Sequence, residues 1–295
     1  MKQLQGKIAV VAGATRGAGR AIAVSLGEAG ATVYCTGRSV RGEPASGPNR
    51  PETIDETAES ISTRGGTAFP VRVDHSDPDQ VKRLFERVAS EQGKLDILIN
   101  DIWGGEQLSD WDHPFWEQSL ENGLLMQRRA VHTHIITSYF GVPLMLPQKQ
   151  GLVVEVTDGY TLDYRGRFFY DLAKTSVIRL AFGLAQELGP RGITALGVTP
   201  GFLRSEEMLD HFGVKEENWR DAVSQEPLFA YSETPYYLGR AVAALAADPN
   251  VSGKAGKTYP TWHLYKEYGF TDLDGTQPDW GAHYDEFTRS EKSEG

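Results

Sequence analysis

Lys7-Ile8-Ala9-Val10-Val11-Ala12-Gly13-Ala14-Thr15-Arg16-Gly17-Ala18-Gly19 is the stretch that decides the fold. Its first half is apolar without alternation, the pattern of a parallel strand covered on both faces. The run breaks at three glycines spaced Gly-x3-Gly-x-Gly, and Arg20 to Ala29 then reads as an amphipathic helix ended by Gly30. A strand, a glycine turn and a helix in that order make an anion site. Gly13, Gly17 and Gly19 let backbone come close to a pyrophosphate, and the helix start offers free N–H groups and a positive dipole end. Thr15, Arg16 and Ala18 share the loop and are read with it as cofactor-binding residues.

The next strand, Thr32 to Thr36, runs into Gly37-Arg38-Ser39. A dinucleotide with a free ribose 2′-hydroxyl calls for an acidic residue there. This chain has Arg38 with Ser39 beside it, and Arg16 in the glycine loop. Two guanidiniums suit a 2′-phosphate, which they grip in bidentate fashion, so NADP(H) is expected over NAD(H). Arg41 to Pro51 reads as a loop and Glu52 to Arg64 as a helix. A third strand, Thr67 to Val73, ends at Asp74, placed to accept from an adenine amino group, with His75 next. Asp77 and Pro78 are the cap and first residue of a helix. A fourth strand, Leu95 to Asn100, leads into Asn100-Asp101-Ile102-Trp103, and a long helical stretch is expected from Pro114 to Leu146. His132 and His134 fall on different helix faces, and Asp110, Asp112 and His113 could make a metal cluster only by a fortunate loop. No metal site is expected.

Gly151 to Thr157 is the fifth strand and Phe169 to Gly189 the following helix. Tyr170 and Lys174 are one turn apart on one face of it. An ammonium beside a phenol favours the phenolate, which makes Tyr170 a candidate acid/base group, with the Thr157 hydroxyl placed to bond the same reacting oxygen. Trp103, Asp158 and Phe168 are read as substrate pocket. The sixth strand, Ile193 to Thr199, closes on Pro200-Gly201-Phe202-Leu203-Arg204-Ser205, with Pro200, Gly201 and Ser205 expected at the nicotinamide. Residues 202–232 read as short helices and loops over the substrate, Glu233 to Asp248 as a last helix, and Lys257 to Pro260 as an edge strand. Strand and helix alternate throughout, so the chain is α/β, a doubly wound parallel sheet in a single domain. Residues 1–260 are taken as that domain and 261–295 as an irregular extension, disordered from Arg289 to Gly295.

The 295 residues carry 30 Lys+Arg against 40 Asp+Glu, a formal charge of −10 that argues against a nucleic-acid surface. The one cysteine, Cys35, excludes an internal disulfide framework and suits a reducing, cytoplasmic setting. No apolar run has the length of a membrane helix, and the first residues lack a signal-peptide core.

The set Gly13-x3-Gly17-x-Gly19, Asp74, Asn100, Thr157, Tyr170-x3-Lys174 and Pro200-Gly201 resembles, in order and spacing, the short-chain dehydrogenases/reductases. The resemblance spans roughly Gly6 to Tyr259. It implies a Rossmann-type sheet of about seven strands, a homodimer or homotetramer, and an enzyme that interconverts a carbonyl and an alcohol. Tyr170 would be its general acid/base, Asn100 part of the cofactor site, and Lys174 the residue that holds the nicotinamide ribose and lowers the Tyr170 pKa. Several positions depart from the family pattern. Thr157 stands where the family has serine, Asp101-Ile102-Trp103 replaces Asn-Ala-Gly, and Gly123 falls where a helix asparagine usually holds the proton-relay water. A looser likeness is to a branch that also has glycine there. A non-catalytic NADP(H)-binding sensor, and a lyase or epimerase on the same scaffold, are the competing readings.

Overall fold

The computed structural model describes residues 2–43 and 50–283. The expected disorder of Arg289 to Gly295, and part of the Arg41 to Pro51 loop, lie outside them. Seven parallel strands form one sheet: β1 (Ile8–Ala12), β2 (Thr32–Gly37), β3 (Thr67–Arg72), β4 (Ile97–Asn100), β5 (Gly151–Val156), β6 (Ile193–Thr199) and β7 (Thr258–Pro260). Their order is β3-β2-β1-β4-β5-β6-β7. The helices are α1 (Gly17–Glu28), α2 (Ile54–Thr63), α3 (Pro78–Gln92), α4 (Leu120–Gln127), α5 (Thr133–Gly141), α6 (Phe168–Leu188), α7 (Glu206–His211), α8 (Pro235–Ala247) and α9 (Thr261–Tyr268).

Covering on both faces explains the unbroken apolar strands. Ala9, Val11, Val33, Ile99 and Val154 pack with Ile22 of α1, Ile61 of α2 and Leu238 of α8. Their strand neighbours Val10, Tyr34, Leu98 and Val153 pack on the other face with Leu84 and Phe85 of α3 and Leu188 of α6. Cys35 is buried in the first of these layers, and burial pushes its thiol up to about 12, so it is inert. Local signals set the helix ends. Thr53 and Glu56 form a capping box on α2, and Asp77 accepts from the Asp79 and Gln80 N–H groups ahead of α3, which ends at left-handed Gly93.

Two expectations about helices are corrected. The stretch from Pro114 to Leu146 is not one helix: it starts only at Ser119, whose hydroxyl accepts from Asn122 N–H at 3.2 Å. A π-helical turn at Arg128–His132 then separates α4 from α5. Nor does the segment after Pro260 begin irregularly, although residues 269–279 carry no helix or strand. Helix α9 buries Thr261, Trp262 and Leu264, and the chain beyond it returns to α8. Asp272 accepts from Thr234 N–H at 2.8 Å, and Arg240 donates to the Thr271 and Asp272 carbonyls at 2.6 and 2.9 Å. Eight residues with a mixed aromatic and polar pattern are too few to show a helical period.

Sequence runs outward from β1 to β3 on one side and from β4 to β7 on the other. Loops after β1, β4, β5 and β6 therefore meet at the carboxyl ends of the strands, around the point where the order reverses, which is where such sheets bind ligands.

Candidate active site

A cleft of about 900 Å³ opens at that point. Its floor at one end is the glycine loop. Gly13 has φ +94°, and a Cβ there would strike the Asp101 carbonyl. A Cβ on Gly19 would strike the Gly13 carbonyl, so Gly19 sits behind the loop and lets α1 press against it. Thr15, Arg16, Gly17 and Ala18 face the cleft. Among the described residues no side chain of the N-cap, Arg16, caps α1. Instead, Gly17 N–H donates to Oε2 of Glu206 at 2.8 Å. A carboxylate thus stands where the helix start and the loop amides favour an anion, so the site fits a pyrophosphate.

The adenosine end is built around Arg38 and Asp74, which both line the cleft. Arg38 is exposed, whereas Arg16 contacts Glu52 at 3.4 Å. Burial works to raise the Asp74 carboxyl, but hydrogen bonds from Ser76 and the nearby Arg38 charge outweigh it and hold the group below its usual value. His75 also borders the cleft, but its ring is buried between the Thr36 and Thr137 hydroxyls, 2.8 Å from each. Burial pulls the ring down to about 3, so it is neutral and buttresses β2 against α5. Besides Gly19, two residues expected at the cofactor lie behind the lining. Ser39 is buried, and its carbonyl accepts from Ile54 N–H at 3.1 Å. Asn100 is buried, and its amide donates to Ser138 Oγ at 2.9 Å and Glu155 Oε1 at 2.8 Å.

At the other end Tyr170 and Lys174 reach the cleft from α6. The Tyr170 ring lies between two indoles, 5.4 Å from Trp103 and 4.9 Å from Trp111. Its hydroxyl donates to Asp158 Oδ2 at 2.7 Å, and the other carboxylate oxygen pairs with Arg165. Burial, then the charge of Asp158 and the bond to it, holds the phenol well above its ordinary value. This reverses the expectation of a lowered Tyr170 pKa. Lys174 directs its ammonium to the Trp103 ring, 3.8 Å from the centroid. Burial pulls that ammonium below its usual value while Asp158, Glu106 and Asp101 act to hold it up. Burial also pushes the Asp101 carboxyl up to about 7, against the Lys174 and His134 charges.

Thr157 lines the cleft with Tyr170 and Lys174, whereas Phe168 departs from expectation. The Thr157 hydroxyl donates to the Lys174 carbonyl at 2.8 Å and so ties β5 to α6; Asp158, one residue on, takes the place beside Tyr170. Phe168 packs on Phe115 at 4.4 Å and on Phe169, outside the cleft lining. Gly123 has a steric reason. A Cβ there would lie 2.5 Å from the Phe169 ring, which fills the space an asparagine would need. Pro200, Gly201 and Ser205 line the cleft after β6, and the Ser205 hydroxyl caps α7 at Met208 N–H, 3.4 Å.

Two buried acids escape the sequence reading. Glu155, fully buried in β5, lies 2.6 Å from His134 Nδ1, and His134 Nε2 lies 3.0 Å from the Ile102 carbonyl. A carbonyl only accepts, so Nε2 donates to it and Nδ1 is turned to the Glu155 carboxyl. This pair fixes the turn that presents Trp103. The available signal was the acid itself, in the middle of a doubly covered strand, which requires a buried partner. Glu233 accepts from Gly201 N–H at 3.1 Å and Thr261 Oγ1 at 2.7 Å, and burial pushes it up to about 8.

A family model described as short chain dehydrogenase matches residues 7–215. The chain belongs to the short-chain dehydrogenases. It is 35% identical over 277 residues to the mouse dehydrogenase/reductase SDR family member 1, covering 92% of this chain and 85% of that protein. It is 29% identical over 245 residues to the 3-oxoacyl-acyl-carrier-protein reductase of Staphylococcus aureus, covering 82% and 91%. A short chain dehydrogenase from Mycobacterium thermoresistibile superposes with a TM-score of 0.78 at 25% identity, covering 94% and 92%. Membership supports a carbonyl/alcohol oxidoreductase that uses a nicotinamide cofactor. Among the described residues no His/Cys/Asp/Glu group could hold a metal ion, and no helix is long and apolar enough to cross a membrane.

Proposed function

We propose that this short-chain dehydrogenase is an NADP(H)-dependent oxidoreductase that interconverts a carbonyl and an alcohol, with Tyr170 as general acid/base. The observation that carries the reading is the Tyr170 hydroxyl in the cleft, hydrogen-bonded to Asp158 and one helical turn from Lys174. Bound cofactor supplies or accepts the hydride. Gly17 and its neighbours hold the pyrophosphate once Glu206 moves off the amide, and Arg38 with Arg16 faces the 2′-phosphate. Ser205, at the head of α7, and Pro200-Gly201 border the nicotinamide.

Tyr170 delivers or takes the proton at the substrate oxygen. Its raised pKa keeps it a phenol at neutral pH, the form that donates to an oxygen gaining charge. Lys174 holds the nicotinamide ribose and places positive charge beside that oxygen. Trp103, which lines the cleft beside the phenol, bounds the substrate space with an apolar face, which selects an apolar carbonyl compound.

The test is NADPH consumption with a panel of aldehydes, ketones and quinones, run for the wild type and Tyr170→Phe. The expected outcome is turnover that falls at least about 100-fold in the variant with NADPH affinity retained. Wild-type turnover by Tyr170→Phe sinks the reading.

A further inference from the structure

The Tyr170 ring packs between two indoles and its hydroxyl borders the cleft, so the polar groups that meet this hydroxyl decide how its proton reaches solvent. Two groups placed to serve it are engaged elsewhere: the Thr157 hydroxyl bonds the Lys174 carbonyl, and position 123 is a glycine roofed by the Phe169 ring. One polar side chain does meet the Tyr170 hydroxyl. Asp158 Oδ2 accepts from it at 2.7 Å, Asp158 Oδ1 is held by Arg165, and the Asp158 side chain keeps 35% of its surface exposed.

We propose that Asp158, oriented by Arg165, takes and returns the proton of Tyr170, and so acts as the relay between the reacting oxygen and water. The proposal rests on the acid/base reading of Tyr170. In alcohol oxidation the substrate O–H breaks and its proton goes to Tyr170 Oη. At the same time the Tyr170 O–H breaks and that proton passes to the Asp158 carboxylate, while the carbinol hydride leaves with its electron pair for the oxidised cofactor. The Asp158 carboxylic acid then releases its proton to water. Carbonyl reduction reverses each transfer. Proton and charge move across the Tyr170–Asp158 pair as a unit, so no isolated phenolate forms between the two indoles.

Three other charged groups face this pair: Arg165 from the loop after β5, Lys174 from α6, and Glu106 from the segment after β4, while Asp101 faces Lys174 behind it.

The test uses the full chain with whichever panel carbonyl the wild type reduces fastest, and follows kcat against pH for wild type, Asp158→Asn, Asp158→Glu and Tyr170→Phe. Asn keeps the shape but takes no proton. The expected result is a kcat for Asp158→Asn lower by about 100-fold, with KM for NADPH unchanged. The wild-type reduction rate should fall as rising pH strips the proton from the pair, and the Asn variant should lose that limb. Asp158→Glu should restore part of kcat and the limb. Should the Asn variant be unfolded, Asp158→Ala with added formate replaces it, and formate-dependent recovery of kcat is the expected result. Near wild-type kcat with an unchanged pH profile in Asp158→Asn, while Tyr170→Phe is inactive, overturns the relay alone. A lower kcat with the pH limb intact also overturns it, leaving Asp158 a structural contact. Full activity of Tyr170→Phe, or no turnover by the wild type, overturns the reading beneath it.

Discussion

The two ends of the cleft are built from different materials. The glycine-loop end is backbone: N–H groups, a helix start, and glycines whose absent side chains make room. The Tyr170 end is side chains from distant segments, with Asp158, Trp103, Trp111 and Lys174 gathered around one phenol. Backbone geometry follows from local sequence and leaves the chain little latitude. A side-chain cage can be rebuilt piece by piece. That is why the glycine loop keeps the family spacing while the other end departs from it at Thr157, Asp101 and Gly123.

The sharpest way to break the contrast is Gly13→Ala. A side chain at φ +94° that also meets the Asp101 carbonyl should weaken NADPH binding about 100-fold, a strain of about 3 kcal/mol, read by fluorescence titration. Binding within twofold of wild type would show the loop to be tolerant after all. Arg38→Ala comes next. Loss of one charge-assisted contact to a 2′-phosphate should raise the NADPH dissociation constant about 30-fold and leave NADH nearly unchanged; equal losses for both would remove Arg38 from the phosphate role.

Asp101→Asn addresses the other end. Burial lifts this carboxyl to about 7, so between its unfolded value, about 4, and 7 the folded protein holds a proton that the unfolded chain has released. Stability contributed at this position therefore falls as pH rises through that window. The Asn variant should melt a few degrees above wild type near pH 8 and gain much less near pH 5, by calorimetry. A gain independent of pH would mean that Asp101 does not titrate there. The smallest effect is expected from Glu206→Gln. Removing the carboxylate that sits on Gly17 N–H should tighten NADPH binding by about threefold, the worth of a charge at a helix end. Weaker binding would show that Glu206 supports the bound state instead of competing with it.

Most of the fold could be read in advance because its signals are local. Unbroken apolar strands declare a sheet covered on both faces, and Asp77-Pro78 and Gly93 mark helix ends without help from elsewhere. The errors fell where local pattern is weak or the cause is distant. Helix α9 is eight residues long and owes its form to packing against α8 and β7. The π turn at Arg128–His132 breaks a stretch whose composition is helical throughout.

The candidate site divides in the same way. Sequence by itself determined the sheet, the glycine loop, the Arg38 position and the spacing that puts Tyr170 and Lys174 on one face. Each of these depends on residues within a turn or two of one another. Tertiary structure decided which hydroxyl or carboxylate meets Tyr170, why position 123 is glycine, and that His134 pairs with Glu155 under the Trp103 turn. Those outcomes depend on side chains from α4, α5, β5 and α6 competing for the same few ångströms. Hydrogen-bond direction and ring packing settle that competition, and neither is written in spacing along the chain.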